Sequence, residues 1–169
     1  MPSEKSSEIK LEFNASNAYF SFESVRMVCR LIDERYPDYD NVIPSDNTNL
    51  VTISKSEILG SLKRISIYAN KTTNQVRLKI TGSEILMSAE DLDFSNEANE
   101  RISCEHDGED IEIGFNAKFL IELLSNIDSD KVILKLSEPN KAGLIIPDNV
   151  GENEEITMLV MPVMLNDNV

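Results

Sequence analysis

The predicted elements occur in an order that repeats within the chain, and this repeat constrains the fold more than any other feature. Strand, helix and three further strands are predicted over residues 50–105, and the same order recurs over residues 110–165. Alternating apolar and polar residues indicate the strands, and apolar residues three and four apart indicate the helices. Two units of about 55–60 residues predict a duplicated α+β architecture, a β-α-β-β-β unit twice, with two helices packed on antiparallel sheet.

Each unit carries one amphipathic helix with its own start signal. Ser54 and Glu57 fit a capping box before the first helix, and Asn116 is placed to cap the second. The apolar stripes comprise Ile58, Leu62, Ile65 and Ala69 in the first helix, and Phe119, Leu120, Leu123, Leu124 and Ile127 in the second. Between the units, Asp107 and Gly108 are typical of a β-hairpin turn.

Two different stretches precede the repeat. Residues 1–32 contain three alternating runs, which predict antiparallel strands with no helix to cover them. Such strands bury too little to stand alone, so we expect them to be the last strands of an incomplete domain. Residues 33–49 hold Pro37, Pro44 and many Asp and Asn residues, which predicts an extended interdomain connector. Residues 50–169 are then a complete domain.

The last apolar stretch, residues 156–165, is rich in Met and interrupted by Pro162. Proline has no N–H to donate, so the strand ends there or lies at a sheet edge. Residues beyond Pro162 either pack against earlier parts of the chain or form the floor of an exposed apolar groove. Methionine lines adaptable binding surfaces, and exposed apolar patches mark partner sites. A last core strand and a binding groove both remain open interpretations.

Charge is distributed unevenly in this acidic chain, whose net charge is −14. A uniformly acidic surface repels nucleic acid. Between residues 54 and 71, however, the local charge is +3, because this segment contains Lys55, Lys63, Arg64 and Lys71 but only one acidic residue, Glu57. Spacing alone favours a solvated helix face for these residues over a surface directed at phosphates.

Composition indicates the cellular setting and excludes several kinds of chemistry. Cys29 and Cys104 suggest no disulfide framework, no apolar run has membrane-spanning length, and the polar N-terminus lacks a signal-peptide core. We therefore expect a cytoplasmic protein. His106 is the only histidine and is interpreted as an exposed loop residue, because catalytic roles need a partner. No cofactor, metal site or catalytic residue is predicted.

Three stretches together resemble a known family: RLIDERYPDYDNVIP at 30–44, IEIGFNAKFLIELL at 111–124 and LVMPVML at 159–165. In order and spacing they are similar to the interdomain connector, the second helix of the last domain and the C-terminal tail of the bacterial DNA polymerase III beta subunit, the sliding clamp. The resemblance covers nearly the whole chain. It implies the end of a middle clamp domain followed by a complete third domain.

The resemblance also implies a function. Family members are head-to-tail homodimeric rings with three similar domains per subunit, helices lining the hole and sheets outside. We therefore expect the DNA clamp fold and a non-enzymatic processivity factor of DNA replication. Such a ring holds double-stranded DNA by topology and needs only a salt-sensitive attraction to phosphates. The implied DNA-facing residues are Lys63, Arg64, Lys71 and Arg30.

Members of the family also have an apolar cleft between the middle and last domains. It receives short linear motifs of the polymerase III alpha subunit, the clamp loader, other polymerases and repair proteins. Carried over by position, its walls here are Pro37, Asn41, Val42, Thr73, Asn116, Phe119, Leu159, Val160, Met161, Pro162, Val163, Met164 and Leu165. A proline-braced segment and a Met-containing strand suit an extended peptide with Leu and Phe anchors. No membrane partner is implied.

Some residues depart from the family pattern, and two rival functions stay open. Many members end in Met-Pro-Met-Arg-Leu, whereas here Met164 replaces the Arg and four residues follow Leu165. Glu34 stands where Gly is usual, and Asn41 where some members carry Arg. The first rival is a β-rich peptide-binding module that never touches DNA. The second is an enzyme domain of the polymerase assembly, against which the lack of an acidic metal-binding cluster counts.

Overall fold

Three antiparallel strands form the first sheet, in the order β1-β2-β3. They are β1 (Lys10–Phe13), β2 (Asn17–Phe22) and β3 (Val25–Arg30). The computed structural model describes residues 8–165, and the chain divides into two units, Met1–Tyr39 and Asp40–Val169. This division falls inside the predicted connector. The predicted domain limits, 1–32, 33–49 and 50–169, stay a prediction.

The second unit contains the two predicted repeats. The first repeat comprises β4 (Asn49–Ser54), α1 (Lys55–Ile65), β5 (Gln75–Thr81), β6 (Glu84–Asp91) and β7 (Asn96–Ser103). A short strand, β8 (Glu105–Asp107), follows it. The second repeat comprises β9 (Ile111–Asn116), α2 (Ala117–Ser125), β10 (Lys131–Leu136), β11 (Gly143–Pro147) and β12 (Met158–Val160). Short 3-10 turns at Tyr39–Asn41 and Ser66–Tyr68 lie before β4 and after α1.

Each repeat lends its first strand to the sheet of the other repeat. One sheet has the order β7-β6-β5-β9, so β9 of the second repeat pairs with β5 of the first. The other has the order β12-β11-β10-β4-β8, so β4 of the first repeat pairs with β10 of the second. All these pairs are antiparallel. The predicted duplicated α+β fold is confirmed, and the exchange of strands joins the repeats into one domain.

The core lies between the two helices and the two sheets. Helices α1 and α2 contact each other, and each contacts strands of both sheets. In α1 the buried apolar residues are Ile58, Leu62 and Ile65, at the predicted helical spacing. In α2, Leu120 and Leu124 are buried. Fully burying an aliphatic side chain contributes about 1.5–3 kcal/mol, so one largely aliphatic core, with Phe115 as its aromatic member, stabilises both repeats without tryptophan.

Two local predictions are wrong and one is confirmed. The Ser54 side chain makes no capping hydrogen bond because its Oγ lies 3.0 Å from Ser56 Oγ. Asn116 does cap α2, since its Oδ1 accepts a 3.0 Å hydrogen bond from the Lys118 amide. Asp107 and Gly108 do not form a hairpin, because β8 pairs with β4 whereas β9 pairs with β5. Their turn connects two different sheets.

Candidate functional site

The tail of the chain passes from one sheet to the other. Strand β12 (Met158–Val160) lies at the edge of the five-stranded sheet and ends before Pro162, as the proline predicts. Val160 is buried. Beyond the proline, the Val163 amide donates a 2.9 Å hydrogen bond to the Gly114 carbonyl of β9. The predicted strand over residues 156–165 is thus reduced to three residues and one bridge.

Large apolar side chains near the tail remain exposed. Phe119 is 57% exposed, Met161 58% and Met164 73%. Phe119 belongs to the predicted apolar stripe of α2 but not to its buried face, which consists of Ala117, Leu120 and Leu124. Helix α2, which carries Phe119, contacts β12, and Met161 directly follows that strand. We call Phe119, Met161 and Met164 the apolar tail surface.

A network of hydrogen bonds joins the start of α2 to the loop before β5. Asn116 Nδ2 donates to the Thr73 carbonyl at 3.1 Å, while its Oδ1 caps the helix. The Ala117 amide donates to the Asn74 carbonyl at 2.8 Å. The structure thereby brings together Thr73 and Asn116, two of the predicted cleft residues.

The three predicted cleft residues of the connector belong to different units of the chain. Asn41 ends a 3-10 turn, and the following Val42 is exposed. Both belong to the second unit, whereas Pro37 belongs to the first. The roles of Pro37, Asn41 and Val42 in the cleft therefore stay a prediction.

The predicted DNA-facing residues differ in their hydrogen-bond and ion-pair partners. Lys63 and Arg64 are exposed in the last turn of α1. Arg64 makes a bidentate ion pair with Glu100 of β7, with Nε–Oε1 at 2.7 Å and Nη2–Oε2 at 3.0 Å. Lys71 Nζ donates to the Ile67 carbonyl at 3.0 Å, and Arg30 is exposed at the end of β3. The protein itself thus engages two of these four charges, and contact with DNA stays a prediction.

Glu100 links α1 to β7 in a way that depends on pH. Its pKa lies below the ordinary value, first because Arg64 hydrogen-bonds the carboxylate and second because the buried Ser61 hydroxyl does. A lowered pKa gives a stabilisation that is complete above the unfolded-state value of about 4.3 and disappears as pH falls through the folded-state value.

A Glu100→Gln variant is expected to lose this pH-dependent part of the stability. Its urea midpoint should lie below that of the wild type at neutral pH and meet it in acid, because both then lack the carboxylate. Chemical unfolding measured from neutral pH to about pH 3 tests this. Glu84→Gln is the control, since its pair with Arg101 is exposed and such pairs contribute little. Parallel curves for wild type and Glu100→Gln would contradict the expectation.

The interpretation of His106 as an exposed loop residue is wrong, because His106 lies in a strand. It is half-buried in β8, where its Nδ1 lies 3.2 Å from the Gly82 carbonyl. Its Nε2 is buried and has no hydrogen-bond partner in the part of the chain that the structure describes. Within residues 8–165, no three His, Cys, Asp or Glu side chains are grouped to hold a metal ion. None of the helices in that range is long and apolar enough to cross a membrane.

The outer face of the four-stranded sheet carries an open polar depression of about 460 Å³. Its lining includes Gln75 and Ser88, the carboxylates Glu90 and Glu97, and the predicted cleft residue Thr73. The sequence prediction missed this surface because alternating polar residues on a strand indicate only a solvated face. An acidic, hydrogen-bonding surface thus adjoins one end of the Thr73–Asn116 network.

The geometry above can be compared with known proteins. A family model described as DNA polymerase III beta subunit, C-terminal domain, matches residues 40–164. The chain belongs to this family. The matched residues include both repeats, the apolar tail surface and the bridge between Val163 and Gly114. The predicted resemblance to the beta subunit family is confirmed.

Relatives and solved structures agree with this assignment. The beta sliding clamp of Synechocystis is 30% identical over 159 residues, which cover 93% of this chain and 40% of that protein. The clamp of Pseudomonas putida is 28% identical over 151 residues, covering 89% and 39%. A Bartonella birtlesii clamp structure, bound to griselimycin, has a TM-score of 0.86 and 27% identity, covering 93% and 41%. The clamp fold is confirmed, and the chain spans about two fifths of these relatives.

Proposed function

We propose that this chain is the C-terminal part of a bacterial sliding clamp, a processivity factor of DNA replication. The end of a middle domain (1–32), a connector (33–49) and a complete third domain (50–169) are the assignments that fit a chain spanning about two fifths of its relatives. The part is non-catalytic, works in the cytoplasm and needs no cofactor. Its partners are double-stranded DNA and replication or repair proteins, among them the polymerase and the clamp loader.

The apolar tail surface is the observation that carries this proposal. Phe119, Met161 and Met164 expose large apolar side chains beside a strand that ends at a proline. A partner segment with Leu and Phe side chains removes this surface from water, and each well-packed anchor contributes about 1–2 kcal/mol or more. Asn116, which donates a hydrogen bond to the Thr73 carbonyl, lies at the N-terminal end of α2, the helix that carries Phe119. Its side-chain amide offers polar atoms to a peptide backbone.

The free edge of β7 supports assembly into a ring. Strand β7 ends the four-stranded sheet, and its outer edge has no strand partner in the described residues. The 3-10 turn Ser66–Tyr68 contacts β7, and Ile67, Leu92 and Phe94 are large exposed apolar residues nearby in the fold. An uncovered strand edge with apolar flanks is a template for pairing with another chain. We assign it to the contact between subunits in a protein of the relatives' length.

One observation favours the alternative of a peptide-binding module that does not encircle DNA. Arg64 is neutralised by Glu100, and the chain carries a net charge of −14. The proposed DNA-facing surface of α1 therefore attracts phosphates only weakly. A closed ring tolerates this weakness because topology, rather than affinity, keeps it on DNA.

Titration with a synthetic peptide of the Gln-Leu-x-Leu-Phe type tests the peptide-binding surface. We expect Met161→Ala and Phe119→Ala each to weaken binding by about tenfold or more, because about 1.4 kcal/mol corresponds to a factor of ten. Pro37→Ala tests the connector in the same assay. Leu92→Ala is the matched control, since Leu92 is also a large exposed apolar residue but lies in the turn between β6 and β7.

Two outcomes of these experiments would contradict the proposal. Equal affinity of the wild type, Met161→Ala and Phe119→Ala would exclude the apolar tail surface as the binding site. To separate the clamp from the alternative module, this domain is assayed within a protein of the relatives' full length. A clamp is retained on circular DNA and slides off linear DNA, whereas a module binds neither form by topology.

A further inference from the structure

Gly114 lies where the tail meets the second repeat. It stands in the middle of β9, between the buried residues Ile113 and Phe115, so a side chain at this position would point to the outer face of the sheet. On one side it pairs with Arg77 of β5, and on the other it forms the isolated bridge with Val163. Gly114 is therefore the only point in the described residues where the tail pairs with β9.

The tail approaches Gly114 too closely for any side chain at this position. A Cβ added to Gly114 would lie 2.6 Å from Leu165 Cδ2 and 2.7 Å from the Val163 carbonyl oxygen. The φ angle of Gly114 is not among the positive ones, which belong to Gly82 and Gly108. The position thus requires glycine for space and not for backbone conformation. The missing side chain leaves a notch that Leu165 fills.

Comparison of the two repeats indicates how weakly the tail is otherwise held. The registers of the sheets make Thr52 of β4 equivalent to Gly114 of β9, and Glu105 equivalent to Val163. In the first repeat the chain pairs with β4 at three successive positions. In the second repeat it pairs with β9 at one position. Within the described residues after Pro162, the bridge between Val163 and Gly114 and the Leu165 side chain are the contacts that we find between the tail and β9.

We infer that Gly114 is a positioning residue for the peptide-binding surface and that Leu165 is the anchor it receives. Leu165 in the notch fixes the chain directly after Met164, and β12 fixes the chain directly before Met161. The apolar tail surface is thereby held in one arrangement, and less conformational freedom is lost when a peptide binds. This inference rests on the proposed function and assigns Leu165 to the support of the surface, not to contact with the peptide.

Amide hydrogen exchange tests the notch without any peptide. We expect Gly114→Ala to remove the protection of the Val163 amide, while Ile113 and Phe115 in the same strand keep theirs. Gly60→Ala is the matched control, because the nearest atom to its added Cβ is Arg64 Nη1, the end of a flexible side chain, at 3.3 Å. Unchanged Val163 protection in Gly114→Ala would overturn the inference, and so would a general loss of protection throughout β9.

Peptide affinity tests the consequence for binding. Gly114→Ala and Leu165→Ala are each expected to lower the affinity for the Gln-Leu-x-Leu-Phe-type peptide about tenfold. The double variant should be no weaker than either single variant, because both act through one docking event. Full additivity of the two effects, or wild-type affinity in Gly114→Ala, would overturn the inference. If the wild type bound no peptide, the proposed function would fail, whereas the exchange result would still decide whether Gly114 docks the tail.

Discussion

A Gly108→Ala variant is expected to lose about 2–4 kcal/mol of unfolding free energy, the largest effect among the single substitutions considered. Gly108 has a φ of +155°, a region that is almost restricted to glycine. An added Cβ would lie 1.7 Å from Asn49 Oδ1 and 2.9 Å from Asn49 Cα. The Asn49 side chain cannot simply rotate away, because its Oδ1 accepts a 2.6 Å hydrogen bond from the Glu109 amide.

Urea unfolding of Gly108→Ala and Gly82→Ala separates the collision from the backbone effect. Gly82 also has a positive φ, +56°, but nothing lies within 4 Å of its added Cβ. We therefore expect Gly82→Ala to cost only the conformational penalty, about 1–2 kcal/mol. Equal losses in the two variants would show that the contact between Gly108 and Asn49 has no energetic importance. A smaller loss for Gly108→Ala in an Asn49→Ala background would assign the difference to the collision.

The same turn illustrates what the sequence could not predict. The dipeptide Asp107-Gly108 favours a hairpin because local turn chemistry is all that a dipeptide reports. In the structure, β8 ends in one sheet and β9 begins in the other. Which sheet a strand joins depends on residues far apart in the chain, such as the pairing of Val51 with His106. Periodicity predicted that the strands exist, but it held no information about the exchange of β4 and β9.

Burial on helices was predicted better than exposure. The spacing of Ile58, Leu62 and Ile65 correctly gave the buried face of α1, because a core residue repeats with the helix period. The same spacing places Phe119 in the apolar stripe of α2, yet Phe119 is exposed. A binding surface uses apolar residues as a core does, so composition alone cannot separate the two. In this chain only the resemblance to the clamp family distinguished them.

The sequence carries one signal that could have singled out Gly114. A single glycine inside the alternating run IEIGFN weakens a strand and often marks the close approach of another backbone. This signal does not identify the partner, because nothing in the sequence indicates that the tail pairs with β9 some 50 residues later in the chain. The hydrogen bond between Ser61 and Glu100 could not be predicted for the same reason, since it joins a helix to an edge strand far away in the sequence.

Amide hydrogens of β1–β3 are expected to exchange at least about 1,000-fold faster than those of β5 and β9. Among the large apolar side chains of the first sheet, Leu11, Phe13 and Met27 are all exposed, and three uncovered strands are marginal by themselves. The second unit has a continuous core that includes Phe115, so we expect its central strands to open only by global unfolding.

Exchange mass spectrometry on the 169-residue chain measures both sheets in one sample, so that β5 and β9 serve as the internal reference. Met27→Thr is a useful companion variant, because polar substitution on an uncovered face should leave the exchange of both sheets unchanged. If β1–β3 were as protected as β9, the apolar face of the first sheet would have to be covered in solution. A concentration-dependent protection would then identify a second copy of the chain as the cover, since only association depends on protein concentration.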